Sequence, residues 1–275
     1  MNRFARTLAA ALLAACATAG AATLQPTDDP AASPVWQKVQ ASLFEGRPIA
    51  PAPAGMLTLE APARAIDAAV VPIAIRSKFP HTAANHVSKL YLIIDANPSP
   101  VSGIFGFTPD SGRAEVELRV RVDAYSHVRA IAETSDGKLY GVTRFVKASG
   151  GCSAAPGSDA KAALATLGQM RFRVDGDARP GAPVLAQLAI DHPNHSGLAM
   201  DQYTRQFTPA HYVRKVDVTY GGKPVFSADV DFSMSENPNF RFWFQPQGSG
   251  ELRATVIDSH DLRFVAAQAL RDTPK

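Results

Sequence analysis

Residues 114–122 alternate without a break: Val116, Leu118, Val120 and Val122 are apolar, and Glu115, Glu117, Arg119 and Arg121 are charged. Successive side chains of a strand point to opposite faces, so the pattern predicts a strand with one buried face, and Arg119 and Arg121 on its solvated face. The same period of two marks 70–75, 90–95, 103–107, 128–134 and 139–147. Asp136-Gly137 supplies a hairpin turn between the last two. A second run of candidate strands covers 170–174, 184–191, 213–220, 223–232, 240–244 and 251–258, with Gly221-Gly222 as a turn and Phe240, Phe242 and Phe244 as a core stripe. Helical spacing occurs at Trp36, Val39 and Leu43, after Ser33-Pro34, a capping residue followed by a first-turn proline. It predicts a short N-terminal helix over 34–44. The prolines at 48, 51 and 53 predict an extended connector over 46–55.

Many short strands and almost no helix predict an all-β chain, with two Ig-like antiparallel β-sandwich domains in tandem. The expected division is 33–147 for the first sandwich and 170–270 for the second. Residues 148–169 are poor in core-forming side chains, so they read as a flexible, cysteine-bearing linker, with a helical turn over 159–167 capped by Ser158.

Composition narrows the function classes. The chain has 275 residues, of which 46% are hydrophobic, enough for two packed domains. Arg3 and Arg6, an apolar stretch and small residues up to Ala22 have the layout of a signal peptide over 1–22, so export to the periplasm is expected. Cleavage after Ala22 or lipid anchoring at Cys16 both fit. Without those residues 26 basic side chains face 25 acidic ones, which argues against nucleic-acid binding. No later apolar run is long enough for a transmembrane segment.

Cys152 is then the only cysteine of the mature chain. An odd cysteine in an exported protein points to a reactive thiol. It stands in Lys147-Ala148-Ser149-Gly150-Gly151-Cys152-Ser153, where Gly150, Gly151 and Ser153 make a small-residue swinging arm. No histidine base is placed beside it by sequence, and no nucleophile elbow, zincin helix, phosphate loop or haem-attachment motif occurs. Asp191, His192 and His195 read as a strand-end turn rather than a metal site. No catalytic residue, metal or cofactor is expected. A thiol handle whose chemistry is done by partners fits best.

Gly150-Gly151-Cys152 after a β-domain resembles the arm of SoxY, the sulfur-carrying subunit of the bacterial thiosulfate-oxidising system. Leu59-Glu60-Ala61-Pro62, Val70-Val71-Pro72-Ile73, Asn97-Pro98, Leu118-Arg119-Val120-Arg121, Ala132-Glu133 and Asp136-Gly137-Lys138-Leu139 follow in the SoxY order. The second block resembles SoxZ through Met170-Arg171-Phe172-Arg173, Asp191-His192-Pro193, Ser196-Gly197, Tyr220-Gly221-Gly222, Ser235-Glu236-Asn237-Pro238 and Ile257-Asp258. The whole is similar to fused SoxYZ-like carriers associated with quinoprotein (PQQ) alcohol dehydrogenases.

The resemblance implies Ig-like sandwiches that pack within one chain and a Cys152 that holds a sulfur-containing intermediate. It also implies periplasmic sulfur-metabolising or haem enzymes as partners. An accessory binding module for a quinoprotein dehydrogenase, with Cys152 idle, is the alternative reading, and a thiol-redox enzyme a third. Ser153-Ala154 replaces the trailing glycines of the SoxY arm, and the chain runs on, so this arm is held at both ends.

Overall fold

The computed structural model describes residues 25, 28–155, 157, 160–176, 179–202 and 204–271. The expected signal peptide, with Cys16, and the Ser158 cap lie outside them. After a helix α1 (Pro34–Leu43), eight strands form the first half: β1 (Ile49–Pro51), β2 (Leu57–Glu60), β3 (Val71–Ser77), β4 (Val87–Ile94), β5 (Val101–Gly106), β6 (Val116–Val120), β7 (Ser126–Thr134) and β8 (Leu139–Val146). A one-and-a-half-turn helix α2 (Ala160–Ala165) precedes the second half. That half contains β9 (Met170–Asp175), β10 (Val184–Ile190), β11 (Val213–Tyr220), β12 (Lys223–Val230), β13 (Asn239–Phe244), β14 (Gly250–Asp258) and β15 (Arg263–Leu270).

The chain is all-β, as its periodicity requires, and two sheets run through both halves. One has the order β1-β8-β7-β4-β5-β12-β11-β14-β15, the other β2-β3-β6-β13-β10-β9. The halves therefore join by strand pairing. Ile104 of β5 lies opposite Asp229 of β12, and Glu117 of β6 opposite Arg241 of β13. An ion pair of 2.7 Å between Arg241 and Glu117 lies on the second seam.

Alternation explains the core. Val116, Leu118 and Val120 turn inward on β6, and Phe240, Phe242 and Phe244 on β13, all buried. One hydrophobic cluster takes in side chains from both halves. At the seam Phe226 of β12 stacks on Phe242 at 4.5 Å and packs against Phe105 and Phe107 of the first half at 6.3 and 5.9 Å.

Helix α1 begins where Ser33 Oγ accepts the Trp36 N–H at 3.2 Å, with Pro34 in its first turn. Its Trp36, Val39 and nearby Phe44 cover Tyr91, Ile93, Ile131 and Leu139. The buried Arg129 guanidinium stacks under Trp36 at 4.4 Å and pairs with Asp95 at 2.5 and 2.8 Å. Of the connector expected to be extended over 46–55, Ile49–Pro51 is a strand paired in parallel with β8, while the chain turns at Gly46 and Gly55, with φ +74° and +76°. No helix among the described residues is long and apolar enough to cross a membrane.

Candidate functional site

Cys152 lies just beyond β8, where the chain leaves the first half. Contrary to the expectation of an exposed arm, its side chain is fully buried, with 0% exposure. The reason is local backbone bonding that composition does not reveal. The Gly150 N–H donates to the Asp123 carbonyl at 2.7 Å and the Gly151 N–H to the Val122 carbonyl at 3.1 Å. The Cys152 N–H donates to the Asp123 carboxylate at 3.3 Å. From the second half, the Ser196 hydroxyl donates to the Cys152 carbonyl at 2.5 Å.

The two glycines thus fix this segment rather than loosen it. Gly150 adopts φ +79°, a left-handed conformation that favours glycine. A Cβ on Gly151 would stand 2.1 Å from the Ala68 carbonyl oxygen and 2.6 Å from that of Val122. Ser153 is exposed, and its hydroxyl turns back to the Gly150 carbonyl at 3.4 Å.

Burial pushes the Cys152 thiol up to about 12, with Asp123 and Asp231 adding to the rise and Arg121 opposing it. Arg121, expected on a solvated sheet face, is buried. Its N–H donates to the Ser233 carbonyl at 2.6 Å and its guanidinium to the carbonyls of Phe232 and Met234. The strand's alternation stops at Val120: beyond it the 231–235 loop of the second half covers the polar face. Arg119, still on the strand, is exposed as expected. Asn97 completes this corner, its amide donating to the Arg121 carbonyl and Ser233 Oγ at 2.9 and 3.1 Å.

The Asp191-His192-His195 group does not converge as a set. His192 instead meets His211 and Asp258, residues far apart in sequence that the β11–β14 pairing brings together. His211 Nε2 lies 2.7 Å from Asp258 Oδ2, and His192 Nε2 3.6 Å from the same oxygen. The Asn194 N–H donates to His192 Nδ1 at 3.0 Å. A neutral ring with Nδ1 accepting carries its proton on Nε2, so that atom faces Asp258 as a donor and has no lone pair for a cation.

Burial lowers His192 to about 4, with His211 adding to the effect. Burial would raise Asp258, but the His211 hydrogen bond and the Leu262 and His260 N–H groups bring it below the ordinary carboxylate range. At 3.6 Å His192 Nε2 is too far from Asp258 to be hydrogen-bonded and has no partner among the described residues. The 191–212 connection, which carries Ser196 to Cys152, is tied by His211 to Asp258 and by the His211 N–H to the His195 carbonyl at 3.0 Å.

Comparison with known proteins identifies both halves. The family model described as "Sulfur oxidation protein SoxY" matches residues 40–152, and that described as "Sulphur oxidation protein SoxZ" matches 171–269. The two matches cover most of the chain, which is therefore a sulfur-oxidation carrier of the SoxYZ class. It belongs to these families as a fusion, with a SoxY domain and a SoxZ domain in one polypeptide.

Among solved structures, the sulfur carrier protein SoxY from Chlorobium limicola f thiosulfatophilum is 26% identical over 41% of this chain and 94% of its own, with a TM-score of 0.35. A glycosyl hydrolase family 2 member from Bacteroides cellulosilyticus DSM 14838 is 12% identical over 74% of this chain and 24% of its own, with a TM-score of 0.22. TM-scores this low leave the family matches as the ground for the assignment. No curated protein matches the chain.

Proposed function

We propose that this protein is an exported carrier that holds a small sulfur-containing group on Cys152 and presents it to partner enzymes, without catalysing the chemistry itself. The observation that carries the reading is that the SoxY match ends on Cys152. It is also the free cysteine of the described residues. A thiol raised to about 12 runs opposite to what a self-activated nucleophile needs, which supports a handle worked on by others.

Joining a thiol to thiosulfate forms an S–S bond and releases one proton and two electrons, so loading calls for an electron-accepting partner such as a haem enzyme. The layout of residues 1–22 supports periplasmic placement. The test is the intact mass of the protein isolated from its native host fed reduced sulfur. A sulfur-containing adduct on Cys152, lost in Cys152→Ala, is expected. An unmodified thiol under every sulfur-fed condition would overturn the reading.

The burial of Cys152 favours a second reading, a non-covalent accessory module for a quinoprotein (PQQ) alcohol dehydrogenase. Under it, Cys152→Ala retains full partner binding and full activity of the dehydrogenase. Under the carrier reading, function is abolished by that change.

A further inference from the structure

We infer that the buried placement of Cys152 is an autoinhibitory contact, a closed state in which Ser196 of the SoxZ half latches the SoxY half's cysteine away from partners. The inference goes beyond the carrier reading, because it concerns access to the thiol whatever the thiol holds.

Three loops meet on the segment. The 121–123 loop accepts the N–H groups of Gly150 and Gly151 on backbone carbonyls and that of Cys152 on the Asp123 carboxylate. The loop before β3 places the Ala68 carbonyl where a Gly151 side chain would stand, and that carbonyl also accepts the Val122 N–H at 2.9 Å. The 191–212 connection brings Ser196. Its hydroxyl oxygen accepts the Leu198 N–H at 3.1 Å, so its own proton is aimed at the Cys152 carbonyl.

Ser196 is the direct side-chain bond from the second half to Cys152 itself. The two residues before it are fixed: the Asn194 amide donates to the Met234 carbonyl at 2.7 Å, and the His195 carbonyl accepts the His211 N–H at 3.0 Å. A fully buried sulfur cannot meet another protein's reacting atom, so transfer at Cys152 requires the segment to leave this seat. The seat also gives Gly151 a role distinct from flexibility: in the closed state there is no space for a side chain.

The two roles predict opposite signs. If Gly151 serves mobility alone, Gly151→Ala slows or leaves unchanged the reaction of Cys152. If it serves closure, the same change expels the segment and speeds the reaction. The experiment is alkylation of the purified full chain by iodoacetamide at fixed pH, followed by intact mass. Wild type is expected to react orders of magnitude more slowly than the same chain in denaturant. Ser196→Ala, which removes one buried hydrogen bond from the closed state, is expected to react roughly tenfold faster than wild type. Gly151→Ala is expected to approach the denatured rate while keeping its β circular-dichroism signal.

Leu252→Ala, in the buried face of β14 and away from the segment, lowers global stability without touching the latch. Acceleration in Leu252→Ala as large as or larger than that in Ser196→Ala would mean that opening is global unfolding, and would overturn the latch. So would a Gly151→Ala chain that reacts no faster than wild type. The latch and the carrier reading fail separately. A Cys152 that is loaded in cells but alkylates at the denatured rate in wild type refutes only the latch. A Cys152 that follows the alkylation pattern but is never loaded refutes only the carrier.

Discussion

Replacing Phe226 by alanine asks whether the two halves unfold as one body. Phe226 is 2% exposed and belongs to the SoxZ half, but two of its ring contacts, Phe105 and Phe107, belong to the SoxY half. On its own side it stacks on Phe242 at 4.5 Å and meets Phe240 at 6.1 Å. Truncating a buried phenylalanine costs about 3–5 kcal/mol, and lost ring-on-ring pairs push towards the upper end. About 4–5 kcal/mol in a folded unit of this size lowers Tm by roughly 10–15 °C. The two tryptophans report the halves separately, since Trp36 sits on α1 and Trp243 on β13. Urea titrations of Trp36→Phe and Trp243→Phe backgrounds, each with and without Phe226→Ala, give one midpoint per half. Continuous sheets require both midpoints to coincide and to fall together. A Trp36 midpoint that stays put while the Trp243 midpoint drops would show two independent domains and refute the argument from shared strands and shared core.

Removing Asp95 by Asp95→Ala strands the buried Arg129 guanidinium and is expected to cost about 3–5 kcal/mol; quenching or a spectral shift of Trp36, which lies over Arg129, would register it. The raised Cys152 thiol stays protonated in the fold while the unfolded thiol ionises near its ordinary value. Its contribution is therefore present below about pH 9 and is lost as pH climbs through about 12, so Cys152→Ala should flatten the alkaline decline in the urea midpoint. The lowered His192 gives the opposite window: the unfolded ring takes a proton near pH 6.5, the folded one only near 4. Stability should fall as pH drops from about 6.5 to 4, and a midpoint that is flat across that range would contradict a buried neutral His192.

Regular strands were legible because alternation is a local property. The run at 114–122 contains β6, the Phe240/Phe242/Phe244 stripe lies in β13, and Gly137 and Gly221-Gly222 make the turns with positive φ that hairpins require. Short or edge strands were harder. Ile49–Pro51 reads only as part of an extended, proline-rich connector because three residues cannot establish a period, and it becomes β1 only by pairing with β8. The polar site was the least legible part. Arg121 continues the same alternation as Arg119, and only the 231–235 loop, more than a hundred residues away, separates their fates. A glycine pair beside a cysteine signals mobility in sequence, whereas the carbonyls of Ala68 and Val122 that make Gly151 a packing requirement are visible only in three dimensions. Asp258 and His211 gave no local motif, because a strand pairing assembles them.

The pairing of β5 with β12 and of β6 with β13 bears on how this molecule is made. Synthesised alone, each half would end both of its sheets on an uncovered strand, and an uncovered strand is a template for adhesion to the wrong neighbour. As separate polypeptides the halves would have to be produced in equal numbers and meet before such misadhesion set in. In one polypeptide every uncovered edge is translated together with its complement, at fixed one-to-one stoichiometry. Fusion leaves no orphan half for the cell to clear.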